Sequence, residues 1–489
     1  MFLVPLWWAV ARVRARGLRA AFLVGSTFGA VAFVGGFPWL LRLVPVFLAG
    51  NLLLGGMLWL AYGAWFALGF GAYAAAYATA RRRGWALVPA GIAPLVALEW
   101  LQPQVFPVNA GTALLASPTW VQIADLGGPL LLTAFVATEN ATLFAAWTWW
   151  RRRSRRARAA PPTSTQGFTS RPAMAVFAAI ALAAVVFVYG RARIAAVDGD
   201  ASRAPTLRVG IVQANLGVLE KRKQGVVSHR RHLEQTRELL ADGDVDLVVW
   251  PETAYVRGLR RPLPIAGQLI RADLAVPLLF GGTAVDEVDG RRVKSNAAFL
   301  VGEDGMIRDA YDKNLLIPLA EYAPFADAFP AIATALPNVQ EFRAADRAPS
   351  LRLGPWRIAI PICYEAIRPE FVRKMMHEGD PHLLVTLAND AWFGDSQEPA
   401  LHLALASLRA VEHRRFLVRS TNSGISAVVD PTGRIVARTG VLARENLRAT
   451  VGMMDGATIY ARLGDWPGWI CSFFTLAMLV AGPRSRGSS

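Results

Sequence analysis

Long apolar segments with almost no charge constrain this chain more than any other feature of its sequence. Six of them can be interpreted as membrane spans, at residues 20–41, 53–80, 85–101, 123–150, 173–190 and 468–482. A bilayer core about 30 Å thick needs about 20 apolar residues in a helix that rises 1.5 Å per residue. The 489 residues are 54% hydrophobic and only 18% charged, which is too apolar for a soluble domain alone. The sequence therefore predicts a polytopic α-helical membrane domain.

Arginine clusters flank these segments and supply most of the net charge of +16. A basic chain can indicate a nucleic-acid-binding protein. Arginines at the ends of apolar segments, here at residues 12–19, 81–83, 151–158 and 484–486, are instead typical of membrane topology signals. If the first cluster faces the cytoplasm, alternation of the spans places the other clusters there and residues 191–467 outside. Arg42, Arg191 and Arg193 lie on the outer side and are the minority that disagrees.

The first eleven residues are apolar but too short to span a bilayer. Because the arginines follow this segment, it lacks the pattern of a signal peptide. We expect it to be the end of a span. The predicted organisation is a transmembrane helical domain at residues 1–193 with five spans and this stub, a soluble domain at 205–457, and a C-terminal transmembrane helix at 467–483.

Two carboxylates, Glu99 and Glu139, lie at or near membrane depth. A carboxylate in that position is costly and is often functional. Either side chain can also reach the interface, so the sequence leaves their roles open.

From residue 206 onward, short apolar strands alternate with helical patterns, which is typical of a layered α/β domain. The predicted strands are 207–212, 245–250, 277–282, 296–301, 306–311, 357–362, 383–387, 417–419, 425–429 and 435–437. The predicted helices are 229–240, 264–273, 369–377 and 400–413.

Three of these strands end at a residue with nucleophilic or acid–base chemistry, namely Glu252, Lys313 and Cys363. A thiol is only slightly ionised at neutral pH, so it needs a base to accept its proton or a cation to lower its pKa. Glu252 can accept protons, and Lys313 can stabilise an oxyanion on an attacked carbonyl. The alternative is that Cys363 is a plain core residue, since free cysteine is often buried. Spacing alone does not decide whether the three residues converge.

Other kinds of site find little support in the sequence. Cys363 and Cys471 are the two cysteines and lie in different domains, so no structural disulfide is expected. The chain contains no Gly-x-Ser-x-Gly elbow, no His-Glu-x-x-His zinc motif and no Gly-rich phosphate loop. His229 and His232, three residues apart on one predicted helix, are predicted to be solvated surface residues. Neither a metal ion nor a cofactor is expected.

Several motifs of the soluble domain resemble those of the nitrilase superfamily of carbon-nitrogen hydrolases. They are Trp250-Pro251-Glu252-Thr253-Ala254, Lys313 with Glu321, Ile362-Cys363-Tyr364-Glu365 and Asn389-Asp390-Ala391-Trp392-Phe393-Gly394-Asp395. Together with residues 419–424 and with residues 460–466 before the last span, they more narrowly resemble the apolipoprotein N-acyltransferase family. This resemblance covers nearly the whole chain.

The resemblance implies a nitrilase-like α-β-β-α sandwich at residues 205–457, on the outer, periplasmic face of the bacterial cytoplasmic (inner) membrane. It also implies a set of site residues, with Glu252, Lys313 and Cys363 as the catalytic triad and Glu321, Tyr364, Glu365 and Trp392 in support. Trp392 is expected on a mobile loop near the pocket. The alternative is that Tyr364 and Trp392 only pack and that the two supporting glutamates only pair with arginines.

The reaction that the resemblance implies is N-acylation of lipoproteins. A membrane phospholipid donates an acyl chain through a cysteine thioester to the α-amine of a diacylglyceryl-modified apolipoprotein. No cofactor and no nucleic acid takes part. The sequence leaves the oligomeric state open, and a monomer is the default expectation.

Two departures from the family pattern put donor preference in doubt. Arg222 stands where the family has an aromatic residue thought to touch lipid, and Leu319-Ala320 replaces the Phe-Gly pair before Glu321. The predicted spans are also fewer than the usual eight of the family, so the resemblance implies that two spans are missing from the N-terminus. Two rival hypotheses therefore stay open, which are a membrane-tethered amidase or nitrilase that uses water as acceptor, and a non-catalytic lipid-binding homologue.

Overall fold

A computed structural model of the protein describes residues 2–159, 171–217, 225–261, 263, 267–326, 328–329, 336, 339 and 341–482. Arg222, which departs from the family pattern, lies outside the described residues. The chain forms two compact units. The first contains Met1–Pro38, Leu58–Ala192 and Asp465–Ser489, and the second contains Trp39–Met57 and Arg193–Gly464.

The described chain before residue 204 is mainly helical. Its helices are α1 (Leu3–Val13), α2 (Leu18–Gly36), α3 (Val44–Phe47), α4 (Leu52–Arg82), α5 (Leu87–Leu101), α6 (Pro118–Val121), α7 (Ala124–Ala159) and α8 (Arg171–Arg203). The backbone is non-helical at Gly127 and Gly128, directly before Pro129, so α7 is kinked in its first turn.

Among the described residues, four helices are long and apolar enough to cross a membrane, namely α2, α4, Ala124–Arg151 of α7 and Val176–Arg203 of α8. They match four of the six predicted spans. Helix α5 and the C-terminal helix Trp466–Val480 have 15 residues each, fewer than the roughly 20 of a full crossing. That these two helices also cross stays a prediction. Large apolar side chains such as Leu23 and Val31 are exposed on α2, as expected of a helix surrounded by lipid.

The first unit is packed around the N-terminal helix. Helix α1, predicted to be the end of a span, buries Leu3, Leu6 and Trp7 completely or nearly so. The indole N–H of Trp7 donates to the hydroxyl of Tyr73 at 2.7 Å, and that hydroxyl donates to the carbonyl of Gly91 at 2.9 Å. The Trp7 N–H and the Tyr73 hydroxyl thus both have partners, which their apolar surroundings require.

Glu99 has a structural role in the first unit. Its carboxylate accepts hydrogen bonds from the backbone N–H of Ala110 at 2.8 Å and from the hydroxyl of Thr133 at 2.6 Å. The Thr133 hydroxyl oxygen accepts in turn from the backbone N–H of Gly111 at 3.0 Å. Glu99 therefore ties α5 to α7 and to the short 3-10 turn Ala110–Leu114.

Helices α2 and α4 approach each other closely at Gly25. A Cβ atom added to Gly25 would lie 2.2 Å from the carbonyl oxygen of Phe70 and 2.5 Å from the Cβ of Ala74. Small residues at such crossings let the backbones of membrane helices come into contact. A Cβ atom added to Gly35 on the same helix would have no neighbouring atom within 4 Å.

The second unit is a layered α/β domain. Its first sheet is formed by β1 (Thr206–Gln213), β2 (Leu247–Val249), β3 (Tyr255–Arg260), β4 (Leu278–Val288), β5 (Arg291–Val301), β6 (Ile307–Asp312) and, near the end of the domain, β13 (Glu445–Gly452). Its second sheet is formed by β7 (Leu351–Leu353), β8 (Trp356–Ala359), β9 (Leu383–Ala388), β10 (Phe416–Thr421), β11 (Ala427–Val429) and β12 (Ile435–Arg438). Helices α9 (Gly225–Ala241), α10 (Gly267–Arg271), α11 (Pro369–Gly379), α12 (Glu398–His413) and α13 (Ile459–Leu463) complete the unit.

The strand order is β13-β1-β2-β4-β5-β6 in the first sheet, with β3 beside β4, and β12-β11-β10-β9-β8-β7 in the second. The central pairs β1–β2, β2–β4, β8–β9 and β9–β10 are parallel. Apolar side chains of both sheets form one core between them, for example Ile211 and Val249 with Val385 and Val418. A second core, with Leu239 and Phe280 among its members, joins the outer side of the first sheet to α9. Helices α11 and α12 pack on the second sheet, so the layers follow the predicted α-β-β-α order.

A segment between α2 and α4 belongs to the second unit. Trp39 is 3% exposed and its ring contacts that of Phe393 edge-on, with the centroids 5.4 Å apart. The ring of Phe47 on α3 lies 5.0 Å from that of Trp392. The loop that carries Trp392 therefore rests on aromatic side chains from a distant part of the sequence.

Most predicted strands and helices of the soluble domain are confirmed, but the prediction for two histidines is wrong. His232 is fully buried, and its Nδ1 lies 2.7 Å from the carbonyl oxygen of Ser228. His229 is half-buried, with Nε2 2.7 Å from the carbonyl oxygen of Ile270. Both rings lie against Trp250, because this face of α9 packs on the first sheet.

Replacing Gly25 by alanine is expected to destabilise the first unit, because the new methyl group would overlap the Phe70 carbonyl. Overpacking of this kind costs about 1–3 kcal/mol. The melting temperature of the full-length protein in detergent should fall measurably, whereas Gly35→Ala should leave it unchanged or raise it slightly. Equal effects of the two substitutions would contradict close packing at Gly25.

Candidate active site

Glu252 follows β2, with Pro251 between it and the fully buried Trp250. The indole N–H of Trp250 donates to the hydroxyl of Thr236 on α9 at 2.9 Å, which anchors the end of the strand. Strand β4 comes so close here that a Cβ atom at Gly281 would lie 2.6 Å from the Cα of Glu252. Only glycine fits at that position of β4, and the contact fixes the backbone that carries the Glu252 carboxylate.

Lys313, directly after β6, is fully buried. Its Nζ lies 2.9 Å from both carboxylate oxygens of Glu321 and 3.4 Å from Oε1 of Glu252. The second Glu321 oxygen also accepts from the backbone N–H of Ile317 at 2.9 Å. The structure therefore brings together three of the residues that the sequence singled out, and the partner of Glu321 is a lysine rather than an arginine.

Asn296 is a site residue that the sequence analysis missed. Its side-chain Nδ2 donates to Glu252 at 2.7 Å and to Glu321 at 2.8 Å, so it bridges the two carboxylates. Its backbone carbonyl accepts from the N–H of Lys313 at 2.9 Å. The sequence does contain a signal for this residue, because Asn296 is the one amide in the otherwise apolar run 296–301. A polar side chain buried in such a strand needs a hydrogen-bond partner.

The surroundings of Lys313 keep its ammonium charged. Burial alone would lower the pKa of Lys313, but the negative charges of Glu321 and Glu252 outweigh burial and raise that pKa above its ordinary value. Lys313 is thus a fixed cation in this site and not a proton acceptor.

Cys363 begins the short 3-10 turn Cys363–Ile367 after β8 and is 4% exposed. Its φ of +52° lies in the left-handed region, which is strained for a residue with a side chain and is common at functional sites. Burial raises the pKa of the thiol well above its ordinary value, and the charge of Glu252 raises it further. The charge of Lys313 offsets only part of this effect. The resting sulfur is therefore a protonated thiol that needs a base at the moment of attack.

Glu365, two residues after the cysteine, is fully buried and accepts hydrogen bonds from several sides. One oxygen accepts from the backbone N–H groups of Asn314 at 2.6 Å and Leu315 at 3.0 Å, and the other from that of Ile362 at 2.8 Å. The hydroxyl of Tyr311 donates to both oxygens at 2.9 Å. Burial raises the pKa of Glu365 to about 7, while the charge of Lys313 and these donors favour the carboxylate. Glu365 thus locks the turn that carries Cys363 to the segment that carries Lys313.

The remaining two predicted residues lie on separate turns of the second unit. The hydroxyl of Tyr364 accepts from Arg368 at 2.9 Å, and its side chain is largely buried. Trp392 is half-buried on the 3-10 turn Asp390–Trp392 after β9, where it contacts Phe47. Both contacts are compatible with a packing role, so a direct role for either residue stays a prediction.

The arrangement can support covalent acyl chemistry. A thiol at a strand end, a carboxylate and a fixed ammonium are the groups needed to form a thiolate and to stabilise a tetrahedral oxyanion. Both cysteines are free, as predicted.

Two family models match the chain. The model described as Carbon-nitrogen hydrolase matches residues 208–454, and the model described as Apolipoprotein N-acyltransferase N-terminal domain matches residues 1–142. The two matches cover most of both units.

Curated relatives named apolipoprotein N-acyltransferase match over different lengths. The protein from Gloeobacter violaceus is 30% identical over 502 residues, covering 99% of this chain and 89% of that protein. The protein from Geobacter metallireducens is 30% identical, covering 72% of this chain and 65% of that protein. The protein from Pseudomonas aeruginosa is 34% identical, covering 54% of this chain and 52% of that protein.

Solved structures of nitrilase-type proteins match about half of this chain. Nit3 of Saccharomyces cerevisiae is 17% identical with a TM-score of 0.40, covering 50% of this chain and 90% of that chain. A carbon-nitrogen hydrolase from Helicobacter pylori is 16% identical with a TM-score of 0.37, covering 51% of this chain and 89% of that chain.

Asn296→Asp is expected to destabilise the site, because it places a third carboxylate within hydrogen-bonding distance of two others. Loss of the bridging donor costs about 1–3 kcal/mol, and ionisation of the new carboxyl adds repulsion. The melting temperature should fall, and it should fall further at pH 8 than at pH 5. The matched control is Asn446→Asp on β13, because the amide of Asn446 donates to the carbonyl of Gln235 rather than to a carboxylate. An equal, pH-independent loss in both variants would speak against the proposed bridge.

Glu365→Gln is expected to unlock the turn at Cys363, because an amide nitrogen would face backbone N–H donors. Each donor left without a partner costs about 1–3 kcal/mol. Thermal unfolding should show a fall of several degrees, at roughly 2–4 °C per kcal/mol for a domain of this size. Glu370→Gln on α11, whose side chain is 44% exposed and pairs with Arg368, is the control and should change little. A wild-type melting temperature in Glu365→Gln would refute the locking role.

Proposed function

Because the chain belongs to the apolipoprotein N-acyltransferase family, we propose that it N-acylates lipoproteins by a two-step acyl transfer on Cys363. The donor is a membrane phospholipid, and the acceptor is the α-amine of an S-diacylglyceryl-cysteine at a lipoprotein N-terminus. The observation that carries this proposal is the fully buried Lys313 ammonium, which Glu252 and Glu321 hold in place. The triad of Glu252, Lys313 and Cys363 is part of the proposal.

Glu252 is the proposed general base. The pKa of the Cys363 thiol is raised by burial, so the thiolate forms only when a base takes its proton during attack. Lys313 keeps its proton, because the charges of Glu321 and Glu252 outweigh burial and raise its pKa, and so it cannot serve as that base. A carboxylate 3.4 Å from the ammonium is the group best suited to exchange protons with sulfur, substrate and leaving group.

In the first step, Glu252 accepts the thiol proton and the sulfur attacks the carbonyl carbon of a phospholipid ester. The oxyanion of the tetrahedral intermediate is stabilised by the Lys313 ammonium. The carbon–oxygen bond then breaks, and the proton on Glu252 passes to the departing glycerol oxygen. The products are a lysophospholipid and a thioester on Cys363.

In the second step, the neutral α-amine of the lipoprotein cysteine attacks the thioester carbonyl. Glu252 accepts a proton from the amine, and Lys313 again stabilises the oxyanion. The carbon–sulfur bond breaks, the sulfur recovers its proton, and an amide is released. Covalent catalysis of this kind predicts ping-pong kinetics.

The supporting residues have proposed roles that follow from their contacts. Glu321 holds the Lys313 ammonium in place, and Glu365 holds the turn of Cys363 against the segment of Lys313. Tyr364 and Trp392 are proposed to border the acyl-chain pocket. Their position on turns beside Cys363 and Asp390 supports this role.

A membrane-bound enzyme suits these substrates. Both are anchored in lipid, and moving an acyl chain into water costs about 0.8 kcal/mol per CH₂ group. We place the nitrilase-like domain on the periplasmic face of the bacterial inner membrane. The arginine clusters at residues 81–83 and 151–158 support a cytoplasmic position for the loops that carry them, and the nitrilase-like domain is then on the other side of the membrane. A monomer suffices for this chemistry, since one chain supplies all residues of the proposed triad.

The proposed thioester is directly observable. Detergent-solubilised protein incubated with phosphatidylethanolamine should gain the mass of one acyl chain, and hydroxylamine should remove it. Cys363→Ala should show no adduct, while Cys471→Ala, which removes the other cysteine, should show the full adduct. Glu252→Gln should slow adduct formation about 10²–10⁴-fold, the usual contribution of a general base.

Each alternative has its own outcome in this experiment. An unmodified wild type would refute the acyltransferase proposal and favour a non-catalytic lipid-binding homologue. Release of ammonia from small amides without lipid, and no transfer to a diacylglyceryl-cysteine peptide, would favour a membrane-tethered amidase.

A further inference from the structure

A buried polar cluster lies behind the proposed nucleophile. It consists of Asp390 on the turn after β9, Glu398 and His402 on α12, and Arg419 on β10. All four side chains are at most 4% exposed. A Cβ atom at Gly424 would lie 2.1 Å from the Asp390 carboxylate, so the cluster is also closed off from the side of β10 and the segment after it.

His402 connects this cluster to Cys363. Its Nε2 lies 3.2 Å from the backbone carbonyl oxygen of Cys363. Its Nδ1 lies 3.1 Å from Oδ1 of Asp390 and 3.5 Å from Oε1 of Glu398. The imidazole is therefore the direct link between the ion pair of Asp390 with Arg419, at 2.7 Å, and the backbone of the cysteine.

The protonation state of the His402 ring depends on the two groups that its nitrogens contact, the Cys363 carbonyl and the Asp390 carboxylate. A carbonyl oxygen can only accept a hydrogen bond. Asp390 is also an acceptor: burial raises its pKa, but the charges of Arg419 and His402 outweigh burial and bring it down to about 2. A neutral imidazole would point a lone pair at one of these two oxygens, whereas an imidazolium can donate a hydrogen bond to both. The geometry fits an imidazolium.

Glu398 completes the charge balance around the ring. Burial, and then the charge of Asp390, raise the pKa of Glu398 well above its ordinary value, which favours its neutral carboxyl form. The negative charge of Asp390 faces the guanidinium of Arg419 on one side and the ring of His402 on the other. Aspartate, glutamate and histidine are also metal-binding residue types, but the Arg419 guanidinium already places a positive charge on Asp390 and disfavours a cation there.

We propose that His402 is a positioning residue that, as an imidazolium, donates from Nδ1 to Asp390 and from Nε2 to the carbonyl oxygen of Cys363. The hydrogen bond holds the Cys363 backbone in the left-handed conformation that its φ of +52° requires. The positive charge of the ring opposes the negative charge of Asp390, which adds to burial in raising the pKa of the Cys363 thiol. This role supports the proposed triad from outside it and rests on the proposed function only in taking Cys363 as the nucleophile.

The proposal predicts a graded loss of function at His402. Glutamine can still donate one N–H to the Cys363 carbonyl but carries no charge, whereas leucine can do neither. Thioester formation from phosphatidylethanolamine should fall about 10²-fold in His402→Leu, the order expected when a reacting atom is misplaced by about 1 Å. His402→Gln should recover part of that loss. Wild-type acylation in the same assay shows independently whether the proposed function holds.

A second readout separates a positive charge from simple packing. The pH midpoint for alkylation of the Cys363 thiol by a small reagent, measured in the full-length Cys471→Ala background without lipid, should rise by about one pH unit in both His402 variants. His229→Gln is the matched control, because the His229 ring also lies against a backbone carbonyl, 2.7 Å from that of Ile270. It should leave the midpoint unchanged. Rates within twofold of wild type, or an unmoved midpoint, would overturn the proposal.

The wild-type protein offers a test that needs no His402 variant to fold. The chain has six histidines, so the NMR spectrum of protein labelled with ¹⁵N-histidine contains few ring signals. The signals of His402 are assigned by replacing the other five histidines one at a time. The two ring nitrogens of His402 should both show the shifts of protonated imidazolium at pH 7. One protonated and one unprotonated nitrogen would refute the assigned hydrogen bonds.

Discussion

The candidate site depends on a fully buried ammonium that two carboxylates hold in place. A buried charge is tolerated only when it is paired and its hydrogen bonds are satisfied. Lys313 meets this condition through Glu252 and Glu321, and Asn296 offsets the repulsion between the two carboxylates by donating to both. Removing any one of the four would take a hydrogen bond away from two of the others, so these residues act as a unit.

The double-sheet architecture explains how residues far apart in sequence meet. Glu252 and Lys313 follow strands of the first sheet, and Cys363 follows β8 of the second. The shared apolar core holds the two sheets face to face, so the ends of strands from both sheets lie close to one another. Glu365 then joins the cysteine turn to the segment after β6 through backbone amides, which fixes the register between the sheets at this point.

Sequence reasoning identified the charged residues at strand ends and the buried strands, since both leave strong local patterns. It missed Asn296 and His402, because their roles depend on partners that are distant in sequence and each looks like an ordinary polar residue in an apolar element. It also missed β3 and β13. These strands expose many polar side chains, such as Arg257 and Arg448, and β13 finds its partner β1 more than 200 residues away. β7 is only three residues long, too short for a periodic pattern to form.

The segment Trp39–Met57 makes the second unit discontinuous along the chain. Its rings of Trp39 and Phe47 cover Phe393 and Trp392. A recombinant fragment cut at the two ends of the nitrilase-like region would leave that segment behind and expose two aromatic rings to water. The domain is therefore not a module that can be excised or transplanted as one stretch of sequence, and swaps between relatives need to carry both pieces together.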